Sequence, residues 1–187
     1  MKTFTVLDLM VPLSEYATVS DDARLCDAIM ALEQAQEEFD KTRYRHRAVL
    51  VFDKNNKIIG KISQLDALKA LEPKYAELMT DSSMRHFGFS NKYMQGMLDQ
   101  FSLWAGPMAD ICKKAANRKV SDFMYTPTQG EYVRQDATLD TAIHQLIVGH
   151  HQSLLVTNDA GEIVGILRLS DVFAAVFHEM KACQMEC

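Results

Sequence analysis

The sequence predicts an α+β fold built from two pseudo-symmetric repeats that pack through their β-sheets, with a helical insertion between them. Three observations predict this fold. Short motifs recur in the same order in both halves. Within each copy, helical spacing of apolar residues gives way to strand-like runs, and a segment without a counterpart separates the copies. The predicted boundaries are 4–72 for the first repeat, 73–118 for the insertion, 119–180 for the second repeat and 181–187 for a tail.

The two copies align along most of their length. The aligned pairs are residues 6–10 with 120–124, Leu25 with Leu139, Ala28-Ile29 with Ala142-Ile143, residues 58–60 with 163–165, and Asp66 with Asp171. Each copy is predicted to run helix, strand, strand, helix. Because one such unit leaves an apolar sheet face exposed, two copies gain stability by covering these faces.

The elements of each copy follow from local patterns. The first helix carries apolar residues at a period near 3.6 from Leu25 onwards. We expect Asp22, and Asp136 in the second copy, at the N-terminus of this helix, where carboxylates face unpaired N–H groups. A β-branched run from Val49 then predicts a strand. The polar segments 53–56 and 158–161 predict hairpin turns.

The insertion has its own helical pattern. Apolar residues from Tyr93 to Trp104 lie at amphipathic spacing after a start at Ser90 or Asn91, and Gly106-Pro107 separates them from a second short helix. These helices either pack onto their own repeat or form a dimer or partner surface, since methionine and aromatic side chains suit adaptable apolar contacts. We expect a homodimer to which Met94 and its neighbours contribute.

Composition narrows the class of protein. The chain has 187 residues, a formal net charge of −5, 48% hydrophobic and 24% charged residues. This balance is typical of a globular protein, and the negative net charge argues against bulk attraction to nucleic acid or anionic membranes. No apolar run approaches the roughly 20 residues of a membrane helix, and no secretory signal is visible. With four scattered cysteines, we expect a cytoplasmic protein that requires no metal.

Three motifs carry a family resemblance. Each copy opens with Val-x-Asp-x-Met, continues with a Leu-x-x-Ala-Ile helix and closes with a Gly-x-h-Ser-x-x-Asp element, in which h is apolar and Arg168 replaces the serine in the second copy. Each copy thus resembles a cystathionine-beta-synthase (CBS) domain, and the pair resembles a Bateman module. The resemblance implies two clefts between the repeats, an adenosine ligand (AMP, ADP, ATP or S-adenosylmethionine) and a regulatory, non-catalytic role.

The closing elements supply the main site candidates. The resemblance points to Ser63 and Asp66 in the first copy, and to Arg168 and Asp171 in the second. A carboxylate accepts hydrogen bonds from both hydroxyls of a ribose, and a helix N-terminus offers N–H groups to a phosphate. On this hypothesis Asp66 or Asp171 holds the ribose, Ser63 and Arg168 lie towards the phosphates, and Ser170 shapes the turn.

Two alternatives stay open at these positions. Ser63 and Asp66 are close to a capping box, so helix capping alone would explain them. Arg168 departs from the family's hydroxyl residue. It either favours a more anionic ligand or pairs with an acid on the surface.

Further candidates lie before and within the strands. The basic run Arg43-Tyr44-Arg45-His46-Arg47 aligns with His150-His151-Gln152, and we expect Arg47 or His151 near the phosphates; the alternative is a solvated loop. In the resembled family the strand starts hold adenine through backbone and apolar contacts, although most of these positions also suit a core. The matching residues are Thr18, Val19, Ala48, Val49, Tyr132, Val133, Ser153 and Leu154.

Two functions therefore compete. The first is an adenosine-nucleotide sensor that acts on a separate protein, which the paired aspartates favour. The alternative is an interaction or structural dimerisation module that binds no nucleotide, which Arg168 and the long insertion favour. We expect no enzyme, because the sequence contains no nucleophile–base constellation and no Gly-rich phosphate loop.

Overall fold

The structure, a computed structural model, describes residues 4–38, 46–78 and 90–184 and confirms the predicted α+β fold. The helices are α1 (Val6–Leu9), α2 (Leu25–Glu38), α3 (Gln64–Leu71), α4 (Lys74–Leu78), α5 (Asn91–Gln100), α6 (Met108–Ala116), α7 (Leu139–Val148) and α8 (Leu169–Gln184). The strands are β1 (Val11–Pro12), β2 (Thr18–Ser20), β3 (Ala48–Phe52), β4 (Ile58–Ser63), β5 (Tyr132–Arg134), β6 (Ser153–Thr157) and β7 (Ile163–Arg168). None of the helices within the described ranges is long and apolar enough to cross a bilayer.

The chain forms two compact units. The first comprises Met1–Thr18, Leu32–His46 and Thr126–Cys187. Its sheet has the order β1-β7-β6-β5, with β5 parallel to β6 and the other neighbours antiparallel. Helices α7 and α8 supply apolar side chains to its core. The buried core residues are Val6, Val133, Ala142, Leu146, Leu154, Val156, Leu167 and Val172.

The second unit comprises Val19–Ala31 and Arg47–Tyr125. Its sheet has the order β2-β3-β4, and Val49, Leu50 and Val51 of β3 are buried. The insertion belongs to this unit, and Ala115 of α6 packs with Leu25 and Ala70 in one apolar cluster. Helix α5 begins at Asn91 with Ser90 as its N-cap, as the sequence predicts.

The hairpins of the two units confirm the repeat. Ala48 pairs with Ser63 and Val51 with Gly60, while Ser153 pairs with Arg168 and Val156 with Gly165. In both hairpins the register shifts directly after the residue that faces the glycine. Two halves of different sequence therefore share not only a topology but also the same strand register and the same irregularity.

The segments before each repeat, residues 6–11 and 120–125, are here called the lead-ins. The first lead-in ends in β1, which pairs with β7 of the second repeat. The second lead-in ends at Tyr125, which exchanges two backbone hydrogen bonds of 2.9 Å with Lys61 in β4 of the first repeat. Each lead-in thus pairs with the last strand of the opposite repeat, as strand β1 in the first case and through an isolated bridge at Tyr125 in the second. The motif alignment does not predict this pairing.

Two details of the helices differ from the predictions. Helix α7 begins after Thr138, and its first-turn acid is Asp140. Asp136 instead pairs with the Arg134 guanidinium, and Asp22 accepts a hydrogen bond from the Ser20 hydroxyl. The prediction that Asp22 and Asp136 stand at the helix N-termini was wrong, because both lie in the turns between the strands and the helices.

Candidate functional site

The first strand-to-helix turn joins β4 to α3 and is a closed hydrogen-bonded unit. The hydroxyl and the backbone N–H of Ser63 donate to Asp66 Oδ2, at 2.6 and 3.0 Å. The backbone N–H of Asp66 donates back to Ser63 Oγ at 3.2 Å. Ser63 and Asp66 therefore form a capping box, as the capping alternative predicts.

Asp66 keeps acceptor capacity despite this box. Its Oδ1 lies 3.9 Å from Lys69 Nζ, and its side chain is 16% exposed. An ionised carboxylate offers about four lone-pair positions. Ser63 approaches Oδ2, so Oδ1 is the oxygen best placed to accept from a ligand.

The second turn joins β7 to α8 and uses a different pair at the same positions. Arg168 Nε donates to Asp171 Oδ2 at 2.5 Å, and Nη2 donates to Oδ1 at 2.7 Å. The two side chains are only 6% and 10% exposed. The pair is thus buried and bidentate. Arg168 pairs with an acid, as one alternative predicts, but this pair does not lie on the surface. Ser170 is half-buried in the first turn of α8.

Two residues of the same unit surround Arg168. His46 Nδ1 lies 3.4 Å from Arg168 Nη1, and it must be the acceptor because a guanidinium only donates. The Tyr16 ring meets His46 edge-on at 4.5 Å between centroids. Burial raises the pKa of Tyr16 to about 12, although the nearby Arg168 charge opposes the shift. The sequence motifs do not point to Tyr16, and they place His46 only within a basic run.

The residues before β3 and β6 take similar places in the two repeats. Arg47 is exposed, and its carbonyl accepts from Gln64 N–H at the start of α3. The carbonyl of Gln152 accepts from Leu169 N–H in the same way. His151 lies one residue earlier, with Nδ1 4.0 Å from Oε1 of the buried Glu131. Arg43, Tyr44 and Arg45 lie outside the described residues.

The strand candidates are mostly core residues. Val19, Ala48, Val49, Val133 and Leu154 are buried, whereas Thr18, Tyr132 and Ser153 are partly exposed. Tyr132 and Val133 pair with Leu155 and Val156 in the parallel part of the first unit's sheet. Only their backbone groups and the partly exposed side chains would therefore be open to a ligand.

Comparison with known proteins identifies a family model and solved structures that this chain resembles. The family model described as "CBS domain" matches residues 6–73 and 120–178. CBSX2 from Arabidopsis thaliana, a CBS-pair protein, is 19% identical with a TM-score of 0.59 and covers 96% of this chain and 99% of its own. A structure of CBSX2 in complex with AMP is 20% identical with a TM-score of 0.57, over 95% and 98% of the two chains.

A bacterial structure has the same fold. The CBS domain of a bacterial CNNM/CorC family Mg²⁺ transporter, in complex with ATP, is 16% identical with a TM-score of 0.53, over 90% of this chain and 84% of that one. At these identities the likeness establishes the fold alone. No relative was found among curated protein sequences.

Proposed function

Because the chain belongs to the CBS-domain family, we propose that it is a regulatory module that binds an adenosine nucleotide and acts on a separate protein. One observation carries the proposal: each strand-to-helix turn places a carboxylate three residues after the last strand residue, as Asp66 follows Ser63 and Asp171 follows Arg168. The AMP complex of CBSX2 and the ATP complex of the bacterial transporter domain support this ligand class.

The chemistry of the first turn suits such a ligand. The two ribose hydroxyls would donate to Asp66, whose Oδ1 is not engaged at hydrogen-bond distance by Lys69. The phosphates would lie towards Ser63, the α3 N-terminus and the exposed Arg47 guanidinium, since charge-assisted bonds to anionic oxygens are the stronger kind. The adenine would lie against the strand starts near Val19 and Ala48.

The decisive experiment is calorimetry with AMP, ADP, ATP and S-adenosylmethionine. We expect the wild type to bind at least one of them, and Asp66→Ala to weaken that binding by about 2 kcal/mol, or thirtyfold, through the loss of two hydrogen bonds. The matched control is Asp110→Ala, which removes an exposed first-turn carboxylate from α6 and should leave the affinity unchanged.

Failure has two distinguishable forms. If the wild type binds none of the four compounds at millimolar concentration, the nucleotide proposal fails and the interaction module replaces it. If the wild type binds and Asp66→Ala binds equally well, the ligand class survives and the assignment of the first turn does not.

The same chain is also proposed to form a homodimer. On α8, Phe173, Phe177 and Met180 follow one another at spacings of four and three residues, and all three side chains are exposed. This spacing is typical of a helix that packs against another helix. The first two rings stack with centroids 6.2 Å apart, so the apolar surface is continuous.

The insertion offers a second surface for this dimer. Tyr93 and Met94 of α5 are exposed, as the predicted dimer role requires. The segment after α5 is held by its own chain: Trp104 N–H donates to Glu72 Oε2 at 2.9 Å, and its indole N–H donates to Tyr75 at 3.1 Å. The proposed contact is therefore limited to the Tyr93-Met94 side.

Sedimentation velocity tests the dimer. We expect the wild type to be dimeric at micromolar concentration. Phe173→Glu should raise the dissociation constant at least about tenfold, because it places a charge in an apolar contact. His144→Glu adds the same charge to an exposed position on α7, outside the Phe173–Phe177 stripe, and serves as the control. A wild type that stays monomeric across micromolar concentrations contradicts the proposal.

A further inference from the structure

Each strand-to-helix turn supplies hydrogen-bond donors to its own aspartate, but the donors differ between the two repeats. In the first repeat, the Ser63 hydroxyl and backbone N–H both reach Asp66 Oδ2, while Oδ1 has Lys69 Nζ at 3.9 Å. In the second repeat, the Arg168 side chain reaches both oxygens of Asp171. Both oxygens of the second carboxylate are thus engaged by its own chain, whereas the first carboxylate is engaged on one oxygen only.

One edge of a guanidinium presents hydrogen-bond donors like those of the ribose hydroxyls that Asp66 is proposed to bind. The Nε–H and Nη–H groups of an arginine are two parallel donors that fit the two oxygens of one carboxylate. The two neighbouring hydroxyls of a ribose are also a pair of donors of similar spacing. The Arg168 fork therefore occupies on Asp171 the positions that a ribose would need.

We do not expect a ligand to displace the Arg168 guanidinium from Asp171. Arg168 and Asp171 are both nearly buried, and His46 Nδ1 lies 3.4 Å from the third guanidinium nitrogen. Opening the pair would leave a desolvated guanidinium without its carboxylate, which costs more than the hydrogen bonds that a neutral diol returns.

We infer that each chain binds one adenosine ligand, through Asp66, and that Arg168 fills the second ribose position from within the protein. This inference rests on the proposed nucleotide function and adds to it the number and place of the ligands. It also makes Arg168 the residue that decides whether the second repeat can bind. Arg168→Ser gives the second turn the hydroxyl of the first, and with it an Asp171 that keeps one oxygen for a ligand.

Counting bound ligand by calorimetry tests the inference, with AMP and ATP as the probes. The expected numbers of sites that bind with at least the wild-type affinity are one per chain for the wild type, none for Asp66→Asn, two for Arg168→Ser and one for the double variant. Asp66→Asn should lower the affinity of the first site at least about thirtyfold. The control is Arg134→Ser, which removes an exposed arginine paired with Asp136 and Asp159 and should leave one ligand bound.

The outcomes separate this inference from the function on which it rests. Two ligands on the wild type, one ligand bound to Asp66→Asn with the wild-type affinity, or one ligand on a folded Arg168→Ser would each overturn it. Absence of binding to every variant would instead refute the nucleotide function itself. Circular dichroism establishes that each variant is folded. If Arg168→Ser is not, Arg168→Thr supplies the same hydroxyl, and the counts for the wild type and Asp66→Asn still decide.

Discussion

Replacing Arg168 with alanine is expected to lower the free energy of unfolding by about 3 kcal/mol, because it leaves the Asp171 carboxylate buried without its partner. Both side chains lie at the end of β7 with little exposure, so water cannot replace the lost guanidinium fully. Urea denaturation followed by circular dichroism measures the loss. The expected loss is several times larger than for a surface ion pair, whose removal changes stability little.

Arg168→Ser is the matched control for this prediction. The serine can adopt the capping geometry that Ser63 has with Asp66, so the loss should be no more than about 1 kcal/mol. Equal losses for alanine and serine would show that packing of the arginine stem, and not the partner of Asp171, sets the effect. No loss for alanine would contradict the structural role of the pair.

Gly165→Ala should destabilise the protein by about 2–3 kcal/mol, because the new methyl group has no room. A Cβ at Gly165 would lie 2.5 Å from the Val11 carbonyl oxygen and 3.0 Å from Met10 Sδ. The carbonyl belongs to the β1 backbone and cannot rotate away, so β1 must move off β7. Thermal and urea unfolding measure the effect.

Two other glycines provide controls of graded severity. At Gly60 the nearest atom to a new Cβ is Met124 Sδ at 2.6 Å, the middle of a flexible side chain, so Gly60→Ala should cost less. At Gly96 in α5 there is nothing within 4 Å, and Gly96→Ala should not lower stability, since alanine favours a helix. Equal losses at Gly60 and Gly165 would contradict the argument from the rigid carbonyl.

Most of the fold follows from patterns that are local in the sequence. The hairpins are predictable because turn residues such as Asn56, with a φ of 59°, and Gly161, with a φ of 79°, sit between β-branched runs. The start of α5 is predictable from Ser90. The five-residue helix α4 is too short for a periodic signal. The pairing of the lead-ins joins residues more than 60 apart in sequence, and no local pattern predicts such a contact.

In the candidate site, too, some features follow from local sequence patterns and others depend on the whole fold. The Ser63–Asp66 box is visible in the sequence because its partners are three residues apart. Arg168 and Asp171 have the same separation in sequence. Whether Arg168 forms an ion pair, contacts a ligand or stays solvated depends on how deeply it is buried, and burial is a property of the whole fold. The contact of Arg168 with His46 spans 122 residues, so only the recurrence of a histidine two residues before β3 and β6 points to it.

The exchanged lead-ins bear on how such a protein can arise by duplication. A chain with a single repeat would carry a lead-in and a hairpin that belong to different sheets, so it would complete its sheet only by trading lead-ins with another chain. When two copies are joined in one chain, each lead-in pairs with the opposite repeat within the same molecule. This pairing then no longer depends on protein concentration. Thereafter the halves are free to diverge in side chains, as Ser63 and Arg168 have, but each remains dependent on the other's first residues.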